Sequence, residues 1–187
     1  MGSNRTEGGP LRLRVVLSAI ALLLAAGCGT TESSGTSVQA TEAVTEPFNV
    51  CRDLPDAALT AAGLDSTTKD VLTDPPSGPS SWRVCAWDPL DMSPVTYVVE
   101  LYSTSHTMDE TRKNENLIDF TEVDIAGREG ITFREKNTAE TRCRAAFGAE
   151  QGSFIVSTAW METGEKPADL CGLAAQYLSD LEPALPD

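Results

Sequence analysis

The chain has a single histidine, His106, no C-x-x-C pair and no G-x-S-x-G motif. These absences weigh against imidazole-rich metal centres, dithiol redox sites and the nucleophile elbow of serine hydrolases. Its longest apolar run, 15–26, falls short of the roughly 20 residues that a membrane-spanning helix needs. Positive charge is also scarce, with 14 Lys and Arg against 28 Asp and Glu. Such acidity repels nucleic acid and anionic headgroups, so no nucleic-acid partner is expected. Aromatic residues make up only 6% of the chain, and no internal repeat is present.

What is there begins at the N-terminus. Arg12 and Arg14 precede the short apolar run, and Ala26-Gly27-Cys28 follows it. A basic start, a 12-residue apolar core and small residues at the cut make a cleaved export signal over 1–27. Small residues directly before a cysteine resemble the bacterial lipobox, in which that cysteine is acylated and becomes the new N-terminus. Cys28 is therefore the expected lipidation site. Two acyl chains hold a protein on a bilayer stably where one is marginal. This places the protein on the outer face of the cytoplasmic membrane, attached through Cys28. Removal of Arg5, Arg12, Arg14 and Glu7 with the signal leaves 11 basic and 27 acidic residues, a net charge of −16.

With Cys28 lipidated, Cys51, Cys85, Cys143 and Cys171 remain, an even number in a disulfide-permissive compartment. Four cysteines allow three connectivities. Chain order suggests Cys51–Cys85 and Cys143–Cys171, one bridge in each half. Each loop of about 30 residues would then add roughly 3 to 4 kcal/mol on the chain-entropy view.

Residues 28–47 are rich in Ser, Thr, Gly and Glu and poor in large apolar side chains, the composition of a flexible tether. Residues 48–187 then form a single domain. A short helix is expected over 54–62, with Pro55 in its first turn and Gly63 past its end. The prolines and glycine of 66–81 predict a loop. Alternating apolar residues predict strands over 82–87 and 95–102. Thr107-Met108-Asp109-Glu110 fits a capping box opening a helix to about residue 117. A strand pair over 120–125 and 130–134 turns at Ala126-Gly127, and a hairpin joins 142–147 to 153–160. A last helix over 167–181 carries Leu170, Leu173, Ala174, Tyr177, Leu178 and Leu181 as its apolar stripe. A bond from Cys171 to Cys143 would staple it to that hairpin. The expected class is α+β: a mainly antiparallel sheet of five or six strands with short N-terminal and longer C-terminal helices packed on it.

Phe48-Asn49-Val50-Cys51, Cys85-Ala86-Trp87, the run from Val123 through Gly130, Cys143 and Cys171 together resemble a known set of proteins. They resemble the lipoprotein family called domain of unknown function 3558, common in high-GC Gram-positive bacteria. The resemblance covers roughly 48–186. It implies paired cysteines, in support of the pairing above, and implies no activity.

Candidate chemistry is sparse. His106 has Ser105 and Asp109 nearby as partners for a general base, and a hydrolase would need a serine and a carboxylate within its reach. Asp65, Asp70 and Asp74, or Asp119, Glu122 and Asp124, offer carboxylates to calcium but lack the spacing of a calcium loop. Gly127-Arg128-Glu129-Gly130 lacks the glycines and following helix of a phosphate cradle and reads as a turn. Trp82, Trp87, Tyr97 and Tyr102 could line a cleft, although strand aromatics usually fill cores. No catalytic, metal or cofactor site emerges. The expectation is a non-enzymatic envelope lipoprotein that contacts a protein or lipid partner, with a small-ligand or lipid carrier as the alternative. A carrier requires an apolar cavity above about 300 Å³.

Overall fold

The computed structural model describes residues 46–75, 80–90 and 92–187, which all belong to one compact unit. The export signal, Cys28 and the tether as far as residue 45 lie outside the described residues. The packed chain starts at Pro47, which is buried.

Helix α1 (Asp56–Ala61) is a single short amphipathic turn and a half that buries Leu59. Gly63 follows it at φ +80°, the left-handed stop that its position in sequence suggests. Strand β1 (Asp70–Thr73) comes next, inside the stretch expected to be loop. All four of its residues are exposed, and it owes its existence to pairing with β2 (Trp82–Trp87). No local periodicity could announce it, and it brings the sheet to seven strands against the five or six expected.

Strand β3 (Tyr97–Thr104) pairs antiparallel with β2. Helix α2 (Met108–Lys113) opens on the expected capping box: the Thr107 hydroxyl accepts from the Glu110 N–H, and the Glu110 carboxylate accepts from the Thr107 N–H. The helix ends at Lys113, four residues short of the expected limit, because Asn114 turns extended and Leu117 enters the next strand. That strand, β4 (Leu117–Ile125), is the far edge of the sheet, and β5 (Arg128–Glu135), β6 (Arg142–Ala149) and β7 (Gly152–Trp160) step back inward from it. The order is β1-β2-β3-β7-β6-β5-β4, antiparallel throughout. Two meanders, built inward from opposite edges, meet where β7 pairs with β3.

Gly152 stands at that meeting point with φ +143°, and a Cβ there would lie 2.3 Å from the Thr104 carbonyl oxygen. Only glycine lets the end of β3 approach so closely. Helix α3 (Leu170–Leu181) is capped by Asp169, whose carboxylate accepts from the Gly172 N–H, rather than starting at Pro167. It lies across β6 and β7.

Both cysteine pairs are bonded, Cys51 to Cys85 and Cys143 to Cys171. The second fastens α3 to β6, and the first ties the N-terminal segment to β2. Between α3, α1 and the sheet the core is filled: Leu59, Trp87, Leu101, Phe147, Phe154, Val156, Leu178 and Leu181 are at most 2% exposed. Among the described residues, no helix is long and apolar enough to cross a membrane.

The β4–β5 connection is a two-residue turn, Ala126 at φ 53° and Gly127 at φ +88°. Two left-handed residues in a row make the hairpin turn that asparagine-glycine suits best, and alanine there is strained. Ala126→Asn should raise the stability of the domain by about 1 kcal/mol. The check is the urea unfolding midpoint, and an unchanged or lower midpoint would refute the strain.

Candidate functional site

Period-two alternation gives the sheet two faces. One meets α3 and the filled core. The other carries Trp82 and Val84 of β2, Glu100 and Tyr102 of β3, Ile155 and Ser157 of β7, Arg142 and Arg144 of β6, and Ile131, Phe133 and Glu135 of β5. An antiparallel sheet with one wet face normally shows polar residues there. Here Ile131, Phe133, Ala146 and Ile155 form a second buried apolar cluster, with Trp82, Tyr102, Met108, Leu117 and Phe120 packed around it. The short α2 covers only part of it. What remains is a groove of about 470 Å³, with Trp82, Tyr102, Phe133 and Ile155 among its lining residues and His106, Glu110 and Arg144 among its charged or titratable ones. Its size lies within the range of small-molecule sites, about 300 to 1,000 Å³.

The polar groups of this face hold its aromatic ring in place. Tyr102 donates its hydroxyl hydrogen to the Glu100 carboxylate at 2.6 Å. Arg142 pairs with that same carboxylate and donates to the Ser157 hydroxyl at 3.3 Å. The Arg144 guanidinium lies over the Tyr102 ring at 5.5 Å, and the Trp82 ring meets it edge to face at 6.2 Å. Fixed on three sides, Tyr102 is a preorganised surface for a ligand. Burial, followed by the neighbouring Glu100 charge, pushes the Tyr102 phenol up to about 12.

His106 forms the rim. Its ring stacks at a tilt on Trp82, 5.1 Å between centroids, and its Nδ1 stands 3.6 Å from a Glu110 carboxylate oxygen. The hydrogen bond from the Thr107 backbone N–H holds the Glu110 carboxyl below the usual range. Ser105 and Asp109 do not join the imidazole in a hydrogen-bonded set among the described residues. Ser153 reaches His106 only at its backbone carbonyl, at 2.8 Å. The geometry makes His106 part of a wall.

The four strand aromatics divide by parity. Trp87 and Tyr97 are buried in the core on the α3 side, where the Tyr97 and Tyr177 hydroxyls lie 3.0 Å apart. Trp82 and Tyr102 line the groove. The carboxylates considered for calcium are dispersed. Asp74 takes the Asn49 amide and the Arg83 guanidinium, Asp65 takes Thr67, Glu122 takes Arg112, and Asp124 takes the Gly127 N–H. Among the described residues, no three metal-ligating side chains converge. Gly127-Arg128-Glu129-Gly130 is the expected turn and strand start. Sequence reasoning missed Glu100, Arg142, Arg144, Phe133 and Ile155. Their signal was alternation on strands whose opposite face was already assigned to the core.

The chain belongs to the family described as "Protein of unknown function (DUF3558)", whose sequence pattern matches residues 23–184. No curated protein and no solved structure matches the chain.

The raised Tyr102 phenol has a consequence for stability. An unfolded tyrosine loses its proton near pH 10, while this one keeps it to about 12 in the fold. Stability that is fully present below pH 10 is therefore lost as pH rises between those values. Tyr102→Phe should flatten this alkaline loss, seen as a smaller drop in the urea midpoint from pH 9 to pH 12. An undiminished drop would remove Tyr102 from the alkaline transition.

Proposed function

We propose that this protein is a non-enzymatic binding module of the cell envelope, held to the outer face of the cytoplasmic membrane through lipid on Cys28. We place its ligand site in the groove beneath α2. The observation that carries the binding part is the groove itself, whose aromatic surface is fixed by Glu100, Arg142 and Arg144 before any ligand arrives. The alternative of a carrier called for an apolar cavity between sheet and helices. The space under α3 is filled, and the groove lies on the opposite face of the sheet, under the shorter helix.

Three features support the envelope location. The first is Arg12 and Arg14 before a short apolar run that ends in Ala26-Gly27-Cys28. The second is a pair of disulfides, which persist in oxidising compartments. The third is that the family match takes in Cys28 along with the folded domain.

A second reading, contact with an envelope protein, draws on β1. Val71 and Leu72 are 52% and 47% exposed on this edge strand, which has a partner on one side only among the described strands. Edge strands of this kind accept added strands.

Expression of the native protein beside Cys28→Ser tests the location. The native form should fractionate with membranes and incorporate labelled palmitate, and the variant should do neither. Equal membrane fractionation of both forms would overturn the anchor. Mass spectrometry of the purified variant tests the site. A co-purifying small molecule that is lost with Trp82→Ala supports the groove, and retention of that molecule by Trp82→Ala overturns it.

A further inference from the structure

The charge around the groove narrows the ligand class. The chain carries a net charge of −14, and such a field raises the local concentration of cations and lowers that of anions. Of the residues lining the groove, Glu110 and Glu135 are acidic, and Arg144 is the one with a permanent positive charge. Arg144 is already engaged. Its Nη1 stands 3.2 Å from Glu135 and its guanidinium carbon lies 5.5 Å from the Tyr102 ring centroid, while its buried Nε has no acceptor. An anionic ligand would have to displace Glu135 from Arg144 and settle near Glu110. The Thr107 N–H bond holds the Glu110 carboxyl below the usual range, and the His106 Nδ1 stands 3.6 Å from it.

The aromatic faces point the same way. The electron-rich faces of tryptophan and tyrosine attract cations, most strongly where water is excluded. On this surface they already gather the protein's own nitrogen bases, Arg144 over Tyr102 and His106 on Trp82.

From the groove's residual acidity, its engaged arginine and its aromatic walls, we infer that it selects organic cations: an ammonium group, primary to quaternary, carried on an apolar body. The inference rests on the binding reading above and adds the class of ligand. The ammonium lies toward Glu110 and the face of Trp82, and the apolar body lies against Phe133 and Ile155. Anionic amphiphiles of the same length are disfavoured.

The test is calorimetric titration of the full chain carrying Cys28→Ser with three probes that share one tail, each below its micellar concentration. They are octyltrimethylammonium, octyl glucoside and octanoate. Octyltrimethylammonium should bind one to one and at least tenfold more tightly than octanoate, with the glucoside between them. Glu110→Gln keeps the capping box, since glutamine serves there too, and should narrow the preference by about threefold. Trp82→Ala should weaken the cation most, and Trp82→Phe should restore it. Equal or tighter binding of octanoate or the glucoside overturns cation selection while leaving a binding groove. Cation binding that Trp82→Ala does not change places the site elsewhere and overturns the assignment. Failure of all three probes to bind removes the small-ligand reading and the cation inference with it.

Discussion

The pairing of β3 with β7 is the constraint on which the rest of the structure depends. Eight residue pairs, from Tyr97 opposite Trp160 to Thr104 opposite Ser153, join two meanders that would otherwise be separate small sheets. The register of this pairing settles the orientation of every side chain in the central four strands. A slip by one residue would send either Val99 and Leu101 of β3 or Phe154 and Val156 of β7 to the groove side, and bring Glu100 or Ser157 into the core in their place. Gly152 permits the close approach, and Gln151 secures it from the turn. The Gln151 amide donates to the Ser103 hydroxyl at 2.7 Å, and its carbonyl accepts from the Phe48 N–H at 2.6 Å.

From this register follow two different uses of one sheet. On the side of α3, large apolar residues interlock without space for a ligand. On the other, the apolar cluster is incomplete, and buried polar side chains organise what remains. An ion pair as sheltered as Glu100 with Arg142 brings little net stability, because desolvation offsets most of the attraction. Its effect here is positional. It fixes the Tyr102 hydroxyl and, with Arg144, the tilt of the ring. The groove is therefore a product of strand register, and the residues that line it come from all seven strands and α2.

Much of the fold is legible in the sequence. The alternation over 82–87 and 153–160, the capping box at Thr107 and Glu110, the stripe on the last helix and the pairing of the cysteines are local or nearly local signals. The illegible parts share one physical origin. β1 has four exposed residues and exists only because β2 offers a ladder. α2 stops early because Leu117 is worth more in a strand beside Glu135 than in a helix. The roles of the aromatics follow from which face of the sheet meets α3, and that depends on pairings between residues far apart in the chain. Trp82 and Trp87 lie five positions apart, so period two sends them to opposite faces. The sequence alone does not say which face is core and which is groove. The groove charges were hidden for the same reason, since alternation over 142–147 sets Arg142 and Arg144 against Cys143, Ala145 and Phe147 without saying what covers the arginine face.

The bond between Cys51 and Cys85 also gives the domain a mechanical character. Any pull on the chain from its N-terminal side passes Pro47 and Phe48 and arrives within a few residues at Cys51. From there the covalent path leads directly into β2, and the intervening loop, with α1 and β1, carries no load. β2 is hydrogen-bonded along its length to β3, so the force spreads into the sheet. Two short elements, a six-residue helix and a four-residue edge strand, are thereby shunted out of the line of tension.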